Sequence, residues 1–345
     1  MEELKKIKEE LGQNKKVRVA INGFGRIGRM IFRAGFDNPN IEFVAINDLS
    51  GPEAAAYFLK YDTVRGTFEY NVRTEGDYLI VNDKKIRVFQ ERSIDNLPWG
   101  ELGVDVVAEC TGVFRDKNKA ELHIKQGAKK VVISAPGKGD VFYFVRGVND
   151  RDYDKDSHHV ISNGSCTTNS MTAIVNELNK KYGIEKGFFS TIHAVTGDQR
   201  ILDANHKDFR RGRAAPFNIV PTTSGAAISV VKLIPELEGK LDGMAFRVPV
   251  PDGSVTDLNL ELKLDVTKEE INNFLKELSL NKLNGIIEYT EDPVVSSDIV
   301  GNKHSGIVDG LSTKVVGNRL VKIVIWYDNE WGFSNRMIEV ITSLL

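Results

Sequence analysis

From Val17 onward the chain reads as short apolar runs separated by segments of helical spacing. The runs VRVAING (17–23), IEFVAIND (41–48), VDVVAECTG (104–112), KKVVISAP (129–136) and HHVISNGS (158–165) are mostly apolar and lead into small or polar residues. That habit predicts strands buried on both faces, as in a parallel sheet. Helical segments lie among them. FGRIGRMIFRAGF puts Ile27 and Ile31 on one face, with Met30 beside them. PEAAAYFLKY has Pro52 in its first turn, and DKNKAELHIKQG sits between the third and fourth runs. From Asp62 to Gly100 the pattern breaks into shorter pieces rich in Asp and Gly. Strand–helix–strand alternation of this kind predicts an α/β fold, a doubly wound Rossmann-type sheet.

The second half has longer, more alternating strands, near 188–196, 242–250, 254–264 and 319–327. SGAAISVVKLI predicts a helix capped by Ser224, and TKEEINNFLKEL opens with a capping box, Thr267 and Glu270. These features predict an α+β domain with a mixed sheet. WGFSNRMIEVITSLL reads as an amphipathic C-terminal helix. The expected organisation is a charged extension over 1–16, a nucleotide domain over 17–165, a catalytic domain over 166–330, and a helix over 331–345 that packs back on the nucleotide domain.

Composition narrows the function. Lys plus Arg is 46 and Asp plus Glu 48, a net charge of −2, without the basic excess of a dedicated nucleic-acid binder. No apolar run is long enough for a transmembrane helix. The first sixteen residues carry both charge signs and resemble neither a secretory signal nor a transit peptide, so a cytoplasmic location is expected. Two cysteines in 345 residues exclude a disulfide scaffold, and no Cys/His cluster suggests a metal site.

Gly23-Phe24-Gly25-Arg26-Ile27-Gly28 follows a strand and opens a helix. In such a corner Gly23 permits the turn, Gly25 lets the backbone approach a pyrophosphate, and Gly28 lets helix and strand pack closely. Asp48 closes the second strand twenty residues beyond Gly28, where an acid accepts hydrogen bonds from a ribose. Thr111-Gly112 and Ser134-Ala135 end strands where such a sheet opens its crevice. Cys166 follows a Gly–Ser turn and begins an apolar helical run. A helix N-terminus stabilises a thiolate, whereas Cys110 lies in an apolar strand and reads as packing.

GFGRIGR from Gly23, SCTTN around Cys166, HAVTGDQ around His193, RRGRAA from Arg210, PTTSGAA from Pro221, FRVPVP around Arg247 and WYDNEWG near the end occur in that order. Together they resemble the phosphorylating glyceraldehyde-3-phosphate dehydrogenases of the bacterial and eukaryotic type, over residues 17–345. The resemblance implies that Cys166 attacks the aldehyde, that His193 acts as base and keeps the thiol ionised, and that phosphate cleaves the resulting thioester. It implies a site for the substrate's phosphate at Thr196, Asp198 and Arg247, with Asp198 orienting Arg247. It places the attacking phosphate at Ser165, Thr167, Ser224 and Gly225. Asn329 would hold the nicotinamide carboxamide.

This chain departs from the pattern at three points: Ser224 stands for a usual Thr, Phe333 for a usual Tyr, and Ser170 for a second cysteine. NAD is the implied cofactor. Asp48-Leu49 resembles NAD users, while Ala204-Asn205 resembles members that also accept NADP, so use of both is expected. A homotetramer is implied, with the segment from about Thr196 to Val220 reaching a neighbouring subunit. Erythrose-4-phosphate dehydrogenase and a non-catalytic nucleotide- or RNA-binding relative are the competing readings.

Overall fold

The computed structural model describes residues 16–345; all but the last residue of the charged extension lies outside them. Two sheets organise the molecule. The first half comprises β1 (Val17–Asn22), α1 (Arg26–Gly35), β2 (Ile41–Asn47), α2 (Gly51–Lys60), β3 (Val72–Glu75), β4 (Tyr78–Val81), β5 (Lys84–Phe89), β6 (Val106–Glu109), α3 (Lys117–Lys125), β7 (Lys130–Ile133), β8 (Phe142–Tyr143) and β9 (Val160–Ser162). They form a nine-stranded sheet in the order β3-β4-β5-β2-β1-β6-β7-β9-β8. The strands from β5 through β9 pair in parallel, and the central ones, β6 and β7, are buried along their whole length. The Asp- and Gly-rich stretch contributes the antiparallel pairs β3–β4 and β4–β5.

The second half comprises α4 (Cys166–Tyr182), β10 (Ile184–His193), β11 (Val220–Thr223), α5 (Ala226–Leu233), β12 (Leu241–Arg247), β13 (Ser254–Leu262), α6 (Lys268–Leu280), β14 (Ile287–Thr290), β15 (Gly306–Val316), β16 (Leu320–Tyr327) and α7 (Trp331–Thr342). Its seven-stranded sheet runs β11-β12-β10-β13-β16-β15-β14. The sheet is mixed: β10 is parallel to β12 and antiparallel to β13. Strictly alternating burial along β13 shows one face covered and the other open. The Thr267–Glu270 capping box is formed. Helix α5 starts one residue later than expected: Gly225 is its N-cap, and Ser224 Oγ accepts the Ala226 N–H at 3.3 Å.

Two cores result. One gathers Met171, Ile174, Leu178, Leu258 and Ile323 between α4 and the second sheet. The other gathers Val19, Ile21, Ile31, Phe32 and Ile46 around β1, and includes Phe333, Met337, Ile338, Val340, Ile341 and Leu344 from the C-terminal segment. Helix α7 thus crosses from the second sheet to the first and packs on α1. A cleft opens between the two halves, facing the C-terminal ends of β1, β6 and β7, the first turn of α4, and the ends of β10 and β12.

Candidate active site

Cys166 is the first residue of α4. Its N-cap, Ser165, accepts the Thr168 N–H at Oγ, 3.1 Å away. The Cys166 Sγ lies 3.4 Å from Nε2 of His193, the last residue of β10. Parallel register places His193 beside Arg247, the last residue of β12. Ala194 O lies 2.7 Å from His193 Nδ1 and accepts the Arg247 Nη1–H at 3.1 Å. Burial, aided by the Arg247 charge, pulls His193 down to about 3. Burial pushes the Cys166 thiol up, against the opposing pull of Arg247 and the Thr167 amide. Burial thus disfavours charge on both partners, and the cation beside the sulfur is Arg247. His193 Nδ1 faces both Ala194 O and, at 2.5 Å, the Arg247 Nη1 donor, so Nε2 is the ring nitrogen turned toward the sulfur.

These groups line a cavity of about 770 Å³ together with Ser134, Ser165, Thr196 and Asn329. Arg26 and Ile27 at the head of α1 line it as well. Asn329 accepts the Ser254 hydroxyl at Oδ1, at 2.6 Å, which leaves its amide N–H groups as donors. The glycine corner suits a dinucleotide phosphate. A Cβ on Gly28 would sit 2.2 Å from Gly23 O, and one on Gly23 would sit 2.7 Å from Thr111 N, whereas Gly25 has open space around it. No side chain caps α1, so its first N–H groups are free to meet an anion. Asp48 follows β2 and accepts the Phe24 N–H at 2.8 Å and the Ser50 N–H at 3.0 Å. Thr111 and Gly112 follow β6, with Gly112 at φ +71°.

Comparison with known proteins matches residues 17–117 to the glyceraldehyde 3-phosphate dehydrogenase NAD binding domain and residues 165–329 to the C-terminal domain of the same family. The chain is 51% identical to glyceraldehyde-3-phosphate dehydrogenase of Geobacillus stearothermophilus over 324 residues, 94% of this chain and 97% of the relative. Identity to the Streptomyces coelicolor enzyme of that name is 52%, again over 94% of this chain and 97% of the relative. Glyceraldehyde-3-phosphate dehydrogenase 1 of Bacillus subtilis is 49% identical with the same coverage. This chain belongs to the glyceraldehyde-3-phosphate dehydrogenase family.

The remaining residues expected from the likeness to glyceraldehyde-3-phosphate dehydrogenases fall into two groups. Thr196 and Arg247 share the cavity with Cys166. Asp198 does not orient Arg247; it pairs with Arg211 Nη1 at 2.7 Å and His206 Nε2 at 3.3 Å. Thr167 is buried, with its hydroxyl 2.9 Å from the Tyr327 hydroxyl, so that hydroxyl is committed within the protein. Ser224 and Gly225 lie outside the cavity lining, behind Pro136, which borders it. The Arg26 side chain is held by Asp62 at 2.6 Å and by Glu330, leaving its backbone N–H for an anion.

Two residues escaped the sequence reading. Arg211 donates to Thr222 Oγ1 at 2.8 Å and to Thr223 O at 3.2 Å, and its charge helps depress His193. Only the RRGRAA motif hinted at it. Tyr327 is buried beneath the site, its hydroxyl also 2.6 Å from Thr191 Oγ1; only its place in the WYDNEWG motif hinted at it. Among the described residues no cluster of His, Cys, Asp and Glu could hold a metal, and no helix is long and apolar enough to cross a membrane.

Proposed function

We propose that this chain oxidises glyceraldehyde 3-phosphate to 1,3-bisphosphoglycerate in the presence of inorganic phosphate. The observation that carries the reading is the 3.4 Å contact between Cys166 Sγ at the head of α4 and the His193 imidazole, inside a cavity that also holds Arg247. His193 takes the thiol proton as sulfur attacks the aldehyde carbon and passes it to the carbonyl oxygen, giving a hemithioacetal on Cys166. His193 then takes the hydroxyl proton as the carbon gives up hydride, leaving a thioester. The bound nicotinamide supplies the hydride acceptor. Phosphate attacks the thioester and expels the Cys166 thiolate, so the oxidation energy is kept in the acyl phosphate. Thr196 and Arg247 hold the substrate's phosphate. Ser165 and the amides at the head of α4, with Arg211 behind them, receive the attacking one.

NAD is held by the Gly23–Gly28 corner, Asp48, Thr111-Gly112, Ser134 and Asn329. Asp48 disfavours a 2′-phosphate, and Ala204-Asn205 offsets part of that, so NADP is used as well. Ala204 and Asn205 make their hydrogen bonds inside their own loop and act across a subunit boundary. The exposed Ile201, Leu202, Phe209, Phe217 and Ile219 on this segment support the homotetramer: apolar surface of this kind marks an interface. Steady-state assays test the reaction. Turnover is fast with phosphate or arsenate and very slow without either. A rate indifferent to both would indicate a hydrolytic aldehyde dehydrogenase, and preference for erythrose 4-phosphate would indicate the sister enzyme.

A further inference from the structure

Strands β2, β1 and β6 each end in a buried polar residue: Asn47, Asn22 and Glu109. Parallel register sets Asn47 beside Asn22 and Asn22 beside Glu109. Asn47 Nδ2 donates to Asn22 Oδ1 at 2.7 Å, and Asn22 Nδ2 donates to Glu109 Oε2 at 2.6 Å. From the far side, the buried His123 of α3 brings Nε2 within 3.2 Å of the same carboxylate oxygen. Its Nδ1 lies 2.9 Å from the Trp99 indole nitrogen. An indole N–H only donates, so His123 Nδ1 is the acceptor and the imidazole proton sits on Nε2, given to Glu109. The other carboxylate oxygen accepts the Thr111 N–H at 2.8 Å and the Thr111 hydroxyl. Four donor groups converge on the buried carboxyl of Glu109.

What this group grips is the wall of the cleft. Thr111 Oγ1 accepts the Val113 N–H at 3.0 Å, so one carboxylate oxygen fixes the turn that follows β6. That turn is in contact with the glycine corner, since Thr111 N lies 2.7 Å from the place of a Gly23 Cβ. We propose that Glu109 is a positioning residue for the dinucleotide: by holding Thr111 against Gly23 it sets the spacing of the crevice, and it acts on cofactor affinity rather than on Cys166 chemistry. The inference rests on reading that crevice as the cofactor site.

Glu109→Gln keeps the volume and replaces one acceptor with a donor where only donors face it. Calorimetric titration with NAD should show Kd raised about ten- to a hundredfold, the worth of one or two disrupted buried hydrogen bonds. KM for NAD should rise while kcat changes little, and iodoacetamide should alkylate Cys166 at the wild-type rate. Adding Asn22→Asp restores an acceptor opposite the amide that Glu109→Gln introduces, so the double variant should recover most of the lost affinity. If Glu109→Gln binds NAD like wild type, the inference is overturned. It is also overturned if the folded double variant binds no better than the single one, because the loss is then general loosening of the fold. Should the single variant not fold, wild-type-like affinity in the double variant supports the inference, and a tenfold or greater loss there overturns it. Gly25→Val tests the underlying reading separately. The new side chain has space but stands where the phosphate would approach, so undiminished NAD binding by that variant would show that the crevice is not the cofactor site, whatever Glu109 does.

Discussion

At the Cys166–His193 contact, burial works against charge on both partners, and Arg247 works in the thiolate's favour. Cys166→Ser should fold and lose more than about a thousandfold in turnover, as expected for removal of a nucleophile. Native-state iodoacetamide should label Cys166 before Cys110, whose thiol burial pushes up to about 12; the reverse order, read by peptide mapping, would count against the assignment. His193→Gln should lower kcat by about 10²–10⁴, the usual worth of a general base. The depressed His193 also has a signature in stability. Its folded value lies below the unfolded one, so between about pH 3 and pH 6.5 the unfolded chain binds the extra proton and stability falls as pH drops through that window. Denaturant unfolding at several pH values should show a wild-type slope there steeper than that of His193→Gln by up to about 1.4 kcal/mol per pH unit. Cys166 and His193 could be read from the sequence because their surroundings are local: a turn and a helix start for one, a short motif for the other. Tyr327 and the Asp198–Arg211 pair could not, since their meaning comes from partners that only tertiary structure brings close.

Among the elements, legibility followed burial. Strands covered on both faces, such as β1 and β7, are uninterrupted apolar runs and stood out. Strand β15 did not: Asp309 and Gly310 interrupt it, and its pairing with β16 shifts register between Asp309 and Lys314. The start of α5 was misplaced by one residue because Ser224 does accept a backbone N–H, yet from a turn ahead of the helix proper. The glycine corner offers a direct contrast. Gly28→Ala drives a methyl group into Gly23 O and should cost about 1–3 kcal/mol, the usual penalty for overpacking. Gly25→Ala meets nothing within 4 Å and should change stability by under about 1 kcal/mol. Chemical denaturation of the two variants side by side would check the difference; equal losses would mean that the close helix–strand approach is not what requires Gly28.

At the scale of the whole molecule, the two halves are locked by Arg65, which reaches from the segment after α2 to Asp328, at 2.7 Å, and to Asp252. All three side chains are nearly removed from solvent. One cation faces two carboxylates, and burial together with Asp328 pushes Asp252 up to about 7. Because that folded value lies above the unfolded one, its stability contribution declines as pH rises from about 4 through 7. Arg65→Leu should therefore cost about 3–5 kcal/mol above pH 7, the price of a buried pair stripped of its partner. The deficit should shrink toward pH 5 as a proton replaces the lost cation. Unfolding midpoints at the two pH values would check this, and a loss independent of pH would show that packing, not charge, is what Arg65 supplies.

Helix α7 and the residues just after it give the first core six apolar side chains, from Phe333 to Leu344, although every strand of the first sheet is complete by Ser162. During synthesis, the nucleotide-binding half therefore emerges from the ribosome long before the residues that finish its interior. It must wait, with the faces of β1 and α1 open, while the whole second domain is made. A fragment ending at Ser165 should accordingly bind hydrophobic dye and lack a cooperative thermal transition, and a synthetic peptide spanning 331–345 should restore that transition by filling the gap. The order of manufacture thus puts this protein's most exposed moment at the end of translation, where a chaperone that shields the β1–α1 surface would have the greatest effect on yield.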